Sequence, residues 1–152
     1  MYERILVVCT GNVCRSPLAE ALLRLQLQAD GHAESAQVQS AGTRALVGKP
    51  ADETVLYVAR QQPRLLQELE RHRAQQINRT LLWWADLILV MEQGHVRHLA
   101  QLDPEAPAKA RLLGHWLGTA IADPYLKHES VYQETHKLVE QAVLSWRERI
   151  RR

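Results

Sequence analysis

"RILVVCTGNVCRSPLAEALLRLQLQ", running from Arg4 to Gln28, is the stretch whose reading decides the fold. Its first part, Arg4 to Cys9, is a short β-branched apolar run, the composition of a strand buried on both faces of a parallel sheet. From Pro17 to Gln28 the pattern is helical, with proline at the first helical position and Leu18, Ala21, Leu22 and Leu25 on one face. The residues between, "TGNVCRS", therefore form a strand-to-helix loop.

Outward from this unit, the same alternation repeats. Val38 to Gly42 reads as a strand and turn, and Ala51 to Gln62 as a helix ended by Pro63. Asn78 caps a short helix in "NRTLLWWA". Asp86 to Met91 reads as a strand, "EQGHVRHLAQL" as a helix, Ala110 to Leu113 as a fourth strand and Ser130 to Arg151 as a long final helix. Strands alternating with helices imply right-handed βαβ units. The expected fold is α/β: a single domain over residues 1–152, a four-stranded parallel sheet with helices on both faces, and a phosphate-binding loop after the first strand. Ligands of such sheets sit beyond the carboxyl ends of the strands, where "CTGNVCRS" lies.

Composition narrows the function. The 152 residues carry a formal net charge of only +2, with no concentrated basic stripe, so nucleic acid is not an expected partner. The closing "RERIRR" reads as a solvated helix end. No apolar run approaches the ~20 residues that span a bilayer, and no signal-peptide layout opens the chain, so a cytoplasmic protein without membrane insertion is expected. Both cysteines of the chain, Cys9 and Cys14, fall in one loop. In a reducing compartment such a pair points to catalysis, metal or redox chemistry rather than to a structural disulfide.

The loop itself favours anion chemistry. Gly11 and Asn12 tolerate left-handed backbone, which lets the chain curl with its amides inward. A curl of this kind, set against a helix N-terminus, is an anion nest. Arg15 adds a planar fork for two oxygens of a tetrahedral oxyanion. Cys9 at the floor stands where these groups favour a thiolate, placed for attack on phosphorus, and Ser16 can donate a hydrogen bond to its sulfur. The lysine of a nucleotide-binding loop is missing. His95 and His98 stand three apart on a helix, but no third ligand completes a metal site, and surface positions are expected. Trp83, Trp84 and Trp116 read as core or edge packing. Asp123, in the turn "ADPYLKHES", is the best-placed later acid, because hydrolysis of an aryl phosphate needs a proton donor and then a base.

"VCTGNVCRSPLAEALL" resembles the active-site loop of the low-molecular-weight protein tyrosine phosphatases, whose pattern is C-x-G-N-x-C-R-S-P. Further features of that family recur at "SAGT" (Ser40 to Thr43), "GKPAD" (Gly48 to Asp52), "HRAQQI" (His72 to Ile77), "DLILVME" (Asp86 to Glu92), "LLGHW" (Leu112 to Trp116) and "DPY" (Asp123 to Tyr125). "GKPAD", "LILVME" and "GHW" are most similar to the bacterial branch associated with exopolysaccharide and capsule production. The resemblance implies that Cys9 is the nucleophile, Arg15 the oxyanion clamp and Asp123 the general acid and base. It implies a substrate site formed by Thr10, Gly11, Asn12, Val13 and Cys14 with Leu46 and Tyr125 as walls. Ser16, Ser40 and His72 would support the loop with Asn12. Cys14 would be a resolving thiol that traps oxidised Cys9 as a disulfide, although spacing alone equally fits a small buried residue. Leu46 stands where other members carry a bulkier side chain, Leu126 where animal members carry a second tyrosine.

The reaction so implied is hydrolysis of phosphotyrosine in proteins, through a cysteinyl phosphate, without metal or other cofactor. A tyrosine autokinase of polysaccharide export is the implied partner, and a monomer or weak dimer the implied state. Three rivals share parts of this pattern. Thiol-dependent arsenate reductases relay oxidation through later cysteines, and none follows Cys14. Sugar-transport phosphocarrier domains need no leaving-group acid. A non-catalytic phosphotyrosine-binding module would be expected to lack Cys9 or Asp123, and both are present.

Overall fold

In the computed structural model, which describes residues 1–151, the run Arg4–Cys9 forms β1 at the centre of a parallel sheet. β2 (Gln37–Gly42) lies on one side of it; β3 (Leu87–Val90) and then β4 (Ala110–Leu112) lie on the other. Val7 sits opposite Ser40 on β2 and Leu89 on β3, so β1 is hydrogen-bonded along both edges. A strand in that position must be apolar on both faces, which is why Ile5 to Val8 are fully buried. Alternate side chains serve different cores. Ile5, Val7, Leu87 and Leu89 pack beneath α1 (Arg15–Ala29), α2 (Glu53–Val58), α3 (Pro63–Glu70) and α6 (Glu129–Arg151). Leu6, Val8, Ile88 and Val90 pack beneath α4 (Arg79–Trp84) and α5 (Gln93–Leu102). Each such side chain moved out of water contributes roughly 1.5–3 kcal/mol, which makes this double-sided sheet the main source of stability.

The strands fall where the sequence puts them, and the helices differ in detail. Pro63 begins a helix instead of ending one. Gln62 is held extended ahead of it (φ −114°, ψ 86°), α2 has already closed at Val58, and Pro63 occupies the first turn of α3, where its missing N–H costs nothing. α1 starts two residues before Pro17, which puts Arg15 on its first turn. Trp83 is 82 % exposed and packs in no core, while its neighbour Trp84 is half-buried against the second one. Trp116 stacks edge-on against the buried Trp146 and lies under the Arg149 guanidinium, so that basic helix end is partly committed to an aromatic face.

From β2 the chain crosses back over β1 to reach β3. At that reversal the segments leaving β1 and β3 diverge, and a crevice opens beyond the carboxyl ends of the strands. All four strand-end segments converge on it: residues 10–15 after β1, 43–46 after β2, 92–95 after β3 and 121–125 after β4.

Candidate active site

The loop after β1 is held from outside by its carbonyls. Cys9 O accepts from Thr43 N (3.0 Å), Thr10 O from Arg44 N (2.9 Å), Gly11 O from Leu46 N (3.0 Å), Val13 O from Asp52 N (2.9 Å) and Cys14 O from Leu18 N (3.4 Å). Asn12 O accepts from His72 Nε2 at 2.6 Å. With every carbonyl from 9 to 14 turned outward, the amides of Gly11 to Cys14 donate to no atom among the described residues. That is the nest expected of the loop, built by its neighbours as much as by its own sequence. Within the loop only Asn12 takes a left-handed conformation (φ 58°); Gly11, which could, does not. The glycine that the packing demands is Gly42 instead, where a Cβ would stand 2.4 Å from Thr10 O.

Asn12 is the internal brace. Gln75 N donates to its Oδ1 (2.8 Å), which fixes the orientation of the amide. Nδ2 then donates to Ser16 Oγ (2.8 Å) and Ser40 Oγ (3.0 Å). Ser40, accepting from Asn12, donates its hydroxyl to Glu20, and Ser16, also accepting from Asn12, is placed to donate to Cys9 Sγ at 2.9 Å. A serine hydroxyl aimed at the sulfur stabilises negative charge there. His72, half-buried between two arginines, completes the brace from the far side, and burial lowers its proton affinity against the pull of Asn12 O.

Arg15 is 1 % exposed. Its Nη1 binds Glu92 and the carbonyl of Ile121 (2.8 Å), and its Nη2 reaches Thr10 Oγ1 (3.3 Å) and the carboxylate of Asp123 (3.5 Å). Its Nε is buried without a partner, so one edge of the fork remains a donor for a bound oxyanion. His95, expected on the surface, is buried here. Glu92 N donates to its Nδ1 (3.2 Å), which requires the proton on Nε2, and Nε2 donates to Thr10 Oγ1 at 3.0 Å. Thr10 thus accepts from His95 and Arg15, which leaves its own hydroxyl proton for the pocket. Burial first, and then Arg15, pushes His95 down to about 4, so the ring is neutral at pH 7. The sequence signal was the E-x-x-H pattern following β3: Glu92 and His95 form the capping box of α5.

Asp123 is 43 % exposed, and its Oδ1 accepts from Tyr125 N (3.1 Å) in the Asp-Pro-Tyr turn. The turn is anchored by Tyr132, whose hydroxyl donates to Asp52 Oδ2 (3.1 Å) and accepts from Leu126 N (3.3 Å). Leu126 is left-handed (φ 62°) and almost fully exposed, a conformation that leucine adopts only when the surroundings enforce it.

These groups share one pocket of about 170 Å³. Its lining includes Cys9, Arg15 and Asp123 together with Thr10, Gly11, Val13, Cys14, Leu46 and Tyr125, and also Arg44, which the sequence did not single out. Asn12, Ser16, Ser40 and His72 are not in that lining and stand behind the loop. Cys14 is buried, and burial, reinforced by Asp52, pushes its thiol well above the ordinary range. A larger cleft of about 340 Å³ opens behind the brace, lined by Glu20, Arg24, Glu68 and His72 among others. It holds no cysteine, its Ser40 hydroxyl is engaged by Asn12 and Glu20, and Arg24 pairs there with Glu20 and Glu68. Among the described residues no group of three or more acidic, histidine or cysteine side chains is placed to hold a metal, and no helix is long and apolar enough to cross a membrane.

A nucleophile, an unpaired guanidinium edge, inward amides and a carboxyl group in one small pocket can transfer a phosphoryl group. Relatives match the chain over nearly their whole length. The chain is 43 % identical over 147 residues to the low molecular weight protein-tyrosine-phosphatase Wzb of Escherichia coli K12, covering 96 % of this chain and 94 % of that one. Vibrio vulnificus Wzb, solved in complex with benzylphosphonate, superposes with a TM-score of 0.88 at 38 % identity, covering 98 % of this chain and 99 % of that one. The YwlE arginine phosphatase of Geobacillus stearothermophilus superposes with a TM-score of 0.82 at 32 % identity, covering 98 % and 93 %. The family model described as low molecular weight phosphotyrosine protein phosphatase matches residues 4–152, and the chain belongs to that family.

Proposed function

We propose that the chain hydrolyses phosphotyrosine in proteins through a cysteinyl-phosphate intermediate. The observation that carries this reading is the shared pocket of Cys9, Arg15 and Asp123, with Arg15 Nε buried and unpaired. Cys9 Sγ attacks phosphorus in line with the leaving phenolate. The P–O bond breaks as Asp123 gives that oxygen its proton, and Arg15 Nε with the amides of Gly11 to Cys14 holds the equatorial oxygens. Asp123, now a carboxylate, takes a proton from water, which displaces the sulfur and releases phosphate. Ser16 steadies the departing thiolate. Val13, Leu46 and Tyr125 make the walls apolar, which suits an aromatic leaving group.

The physiological substrate on this reading is a tyrosine-phosphorylated protein of the cytosol, and the family branch points to a tyrosine autokinase of polysaccharide export. The enzyme acts as a monomer or weak dimer. Cys14 serves as a reversible trap for oxidised Cys9. A binding module is the weaker reading, since it has no use for an acid beside the cradle. The YwlE likeness makes phosphoarginine the informative competitor.

The test is turnover of p-nitrophenyl phosphate, a phosphotyrosine peptide and phosphoarginine by the native chain, Cys9→Ser and Asp123→Ala. The native chain should turn over both aryl phosphates and leave phosphoarginine essentially untouched. Cys9→Ser should abolish turnover, and Asp123→Ala should lower kcat by about 10²–10⁴-fold on the peptide, the usual contribution of a general acid. An inactive native chain that still binds the peptide would establish the module instead.

A further inference from the structure

Three charged side chains line the pocket: Arg15, Asp123 and Arg44. The first two are committed to one another, and Arg15 also to Glu92, Ile121 O and Thr10. Arg44 differs. Its guanidinium makes no hydrogen bond or ion pair among the described residues, and it is exposed. Its backbone, by contrast, is firmly placed. Arg44 N donates to Thr10 O, Thr43 N to Cys9 O and Leu46 N to Gly11 O, so residues 43–46 run alongside the phosphate loop. Gln76 clamps the same turn, accepting from Ala45 N (2.9 Å) and donating to Thr43 O (2.8 Å).

This placement decides what Arg44 can reach. The 43–46 segment meets the loop on its carbonyl side, opposite the amides of Gly11 to Cys14. Arg44 therefore stands outside the cradle and approaches the pocket at its mouth. An uncommitted guanidinium on a fixed base, next to a site that takes the end of a long aromatic side chain, faces the peptide around that side chain. We propose that Arg44 is an anion-recognising subsite, selecting phosphotyrosine that has a second negative group, a carboxylate or a phosphate, on a neighbouring residue. The proposal rests on the phosphotyrosine reading of the pocket.

The experiment uses the native chain, Arg44→Ala and Arg44→Glu. The ligands are one peptide in which phosphonomethyl-phenylalanine replaces phosphotyrosine, with alanine, glutamate or phosphoserine beside it, and binding is read by fluorescence anisotropy. The native chain should bind the glutamate peptide about fivefold more tightly than the alanine peptide at low salt, the scale of an exposed ion pair. The phosphoserine peptide should gain about tenfold because its charge is larger. Both ratios should fall towards one at high salt and in Arg44→Ala, and should invert in Arg44→Glu. A gain with phosphoserine but not glutamate restricts the subsite to phosphate, and a gain with both supports a general anion site. A ratio of one in the native chain overturns the proposal, as does a ratio that Arg44→Ala leaves unchanged. A uniform loss across all three peptides also overturns it, since Arg44 would then hold the central phosphoryl group. Turnover of the alanine-flanked phosphotyrosine peptide reports separately on the phosphatase reading.

Discussion

Replacing Asn12 by alanine and by glycine separates two things that its side chain and backbone do. Asn12 is fully buried, makes three side-chain hydrogen bonds to Gln75 N, Ser16 and Ser40, and sits at φ 58°. Either substitution removes the amide. Two bonds to serine hydroxyls are then lost at roughly 1 kcal/mol each, and Gln75 N loses its acceptor at a further ~1–3 kcal/mol. The sum is about 3–5 kcal/mol, a large share of the stability of a domain this size. Alanine alone also carries the left-handed penalty of about 1–2 kcal/mol. Glycine escapes that penalty but returns some 0.4–1 kcal/mol through its freer unfolded chain. Asn12→Gly should therefore be the more stable of the two by about 0.5–1 kcal/mol, the reverse of the usual order. Urea denaturation of both variants, with kcat on an aryl phosphate as a second readout, tests this. If alanine matches or exceeds glycine, the backbone part of the reasoning is wrong. A cost below about 1 kcal/mol in both would refute the brace itself.

Two further outcomes follow from the same geometry. Unfolded His95 takes a proton near the ordinary 6.5 while the folded ring resists until about 4, so the unfolded state binds more protons in that window. Stability should be full above the window and fall as pH drops through it, by at most about 3 kcal/mol from this group. Burial lowers His72 and His136 in the same direction, so His95→Gln should shrink the difference in unfolding free energy between neutral pH and pH near 4.5 without abolishing it; an unchanged difference refutes the assignment. Tyr132→Phe keeps the packing of α6 but releases Leu126 N and Asp52 from the hydroxyl that ties the acid turn to the α2 cap. Loosening Asp123 by about one hydrogen bond should lower kcat on phosphotyrosine peptide about fivefold with little change in KM. Equal kcat in the two proteins would show that the turn is held by something else.

The covalent order of the chain was enough to assign β1, the loop and α1, because a buried central strand needs an uninterrupted apolar run and a phosphate nest needs its cysteine, asparagine and arginine within one short loop. The parallel alternation that makes the sheet was legible for the same reason: hydrophobic periodicity is local. Pro63 was misread because proline punctuates a helix at either end, and only the packing of Leu65 and Leu69 into the first core decides which. For His95 the E-x-x-H pattern marked the cap of α5 but not the burial of the ring, and Arg44 carried no local signal at all. A histidine on a helix is buried or exposed according to what lies against it, and the strand-end segment carrying Thr10 lies 85 residues away in the chain. Arg44 is one arginine among many until the register of Thr43–Leu46 along the loop carbonyls brings it to the pocket mouth. The sequence by itself determined which residues form the floor of the site, Cys9 and Arg15 held together in one loop. The tertiary structure alone decided which distant side chains brace that floor and which charge guards its entrance, because those contacts exist only where separate strand ends converge.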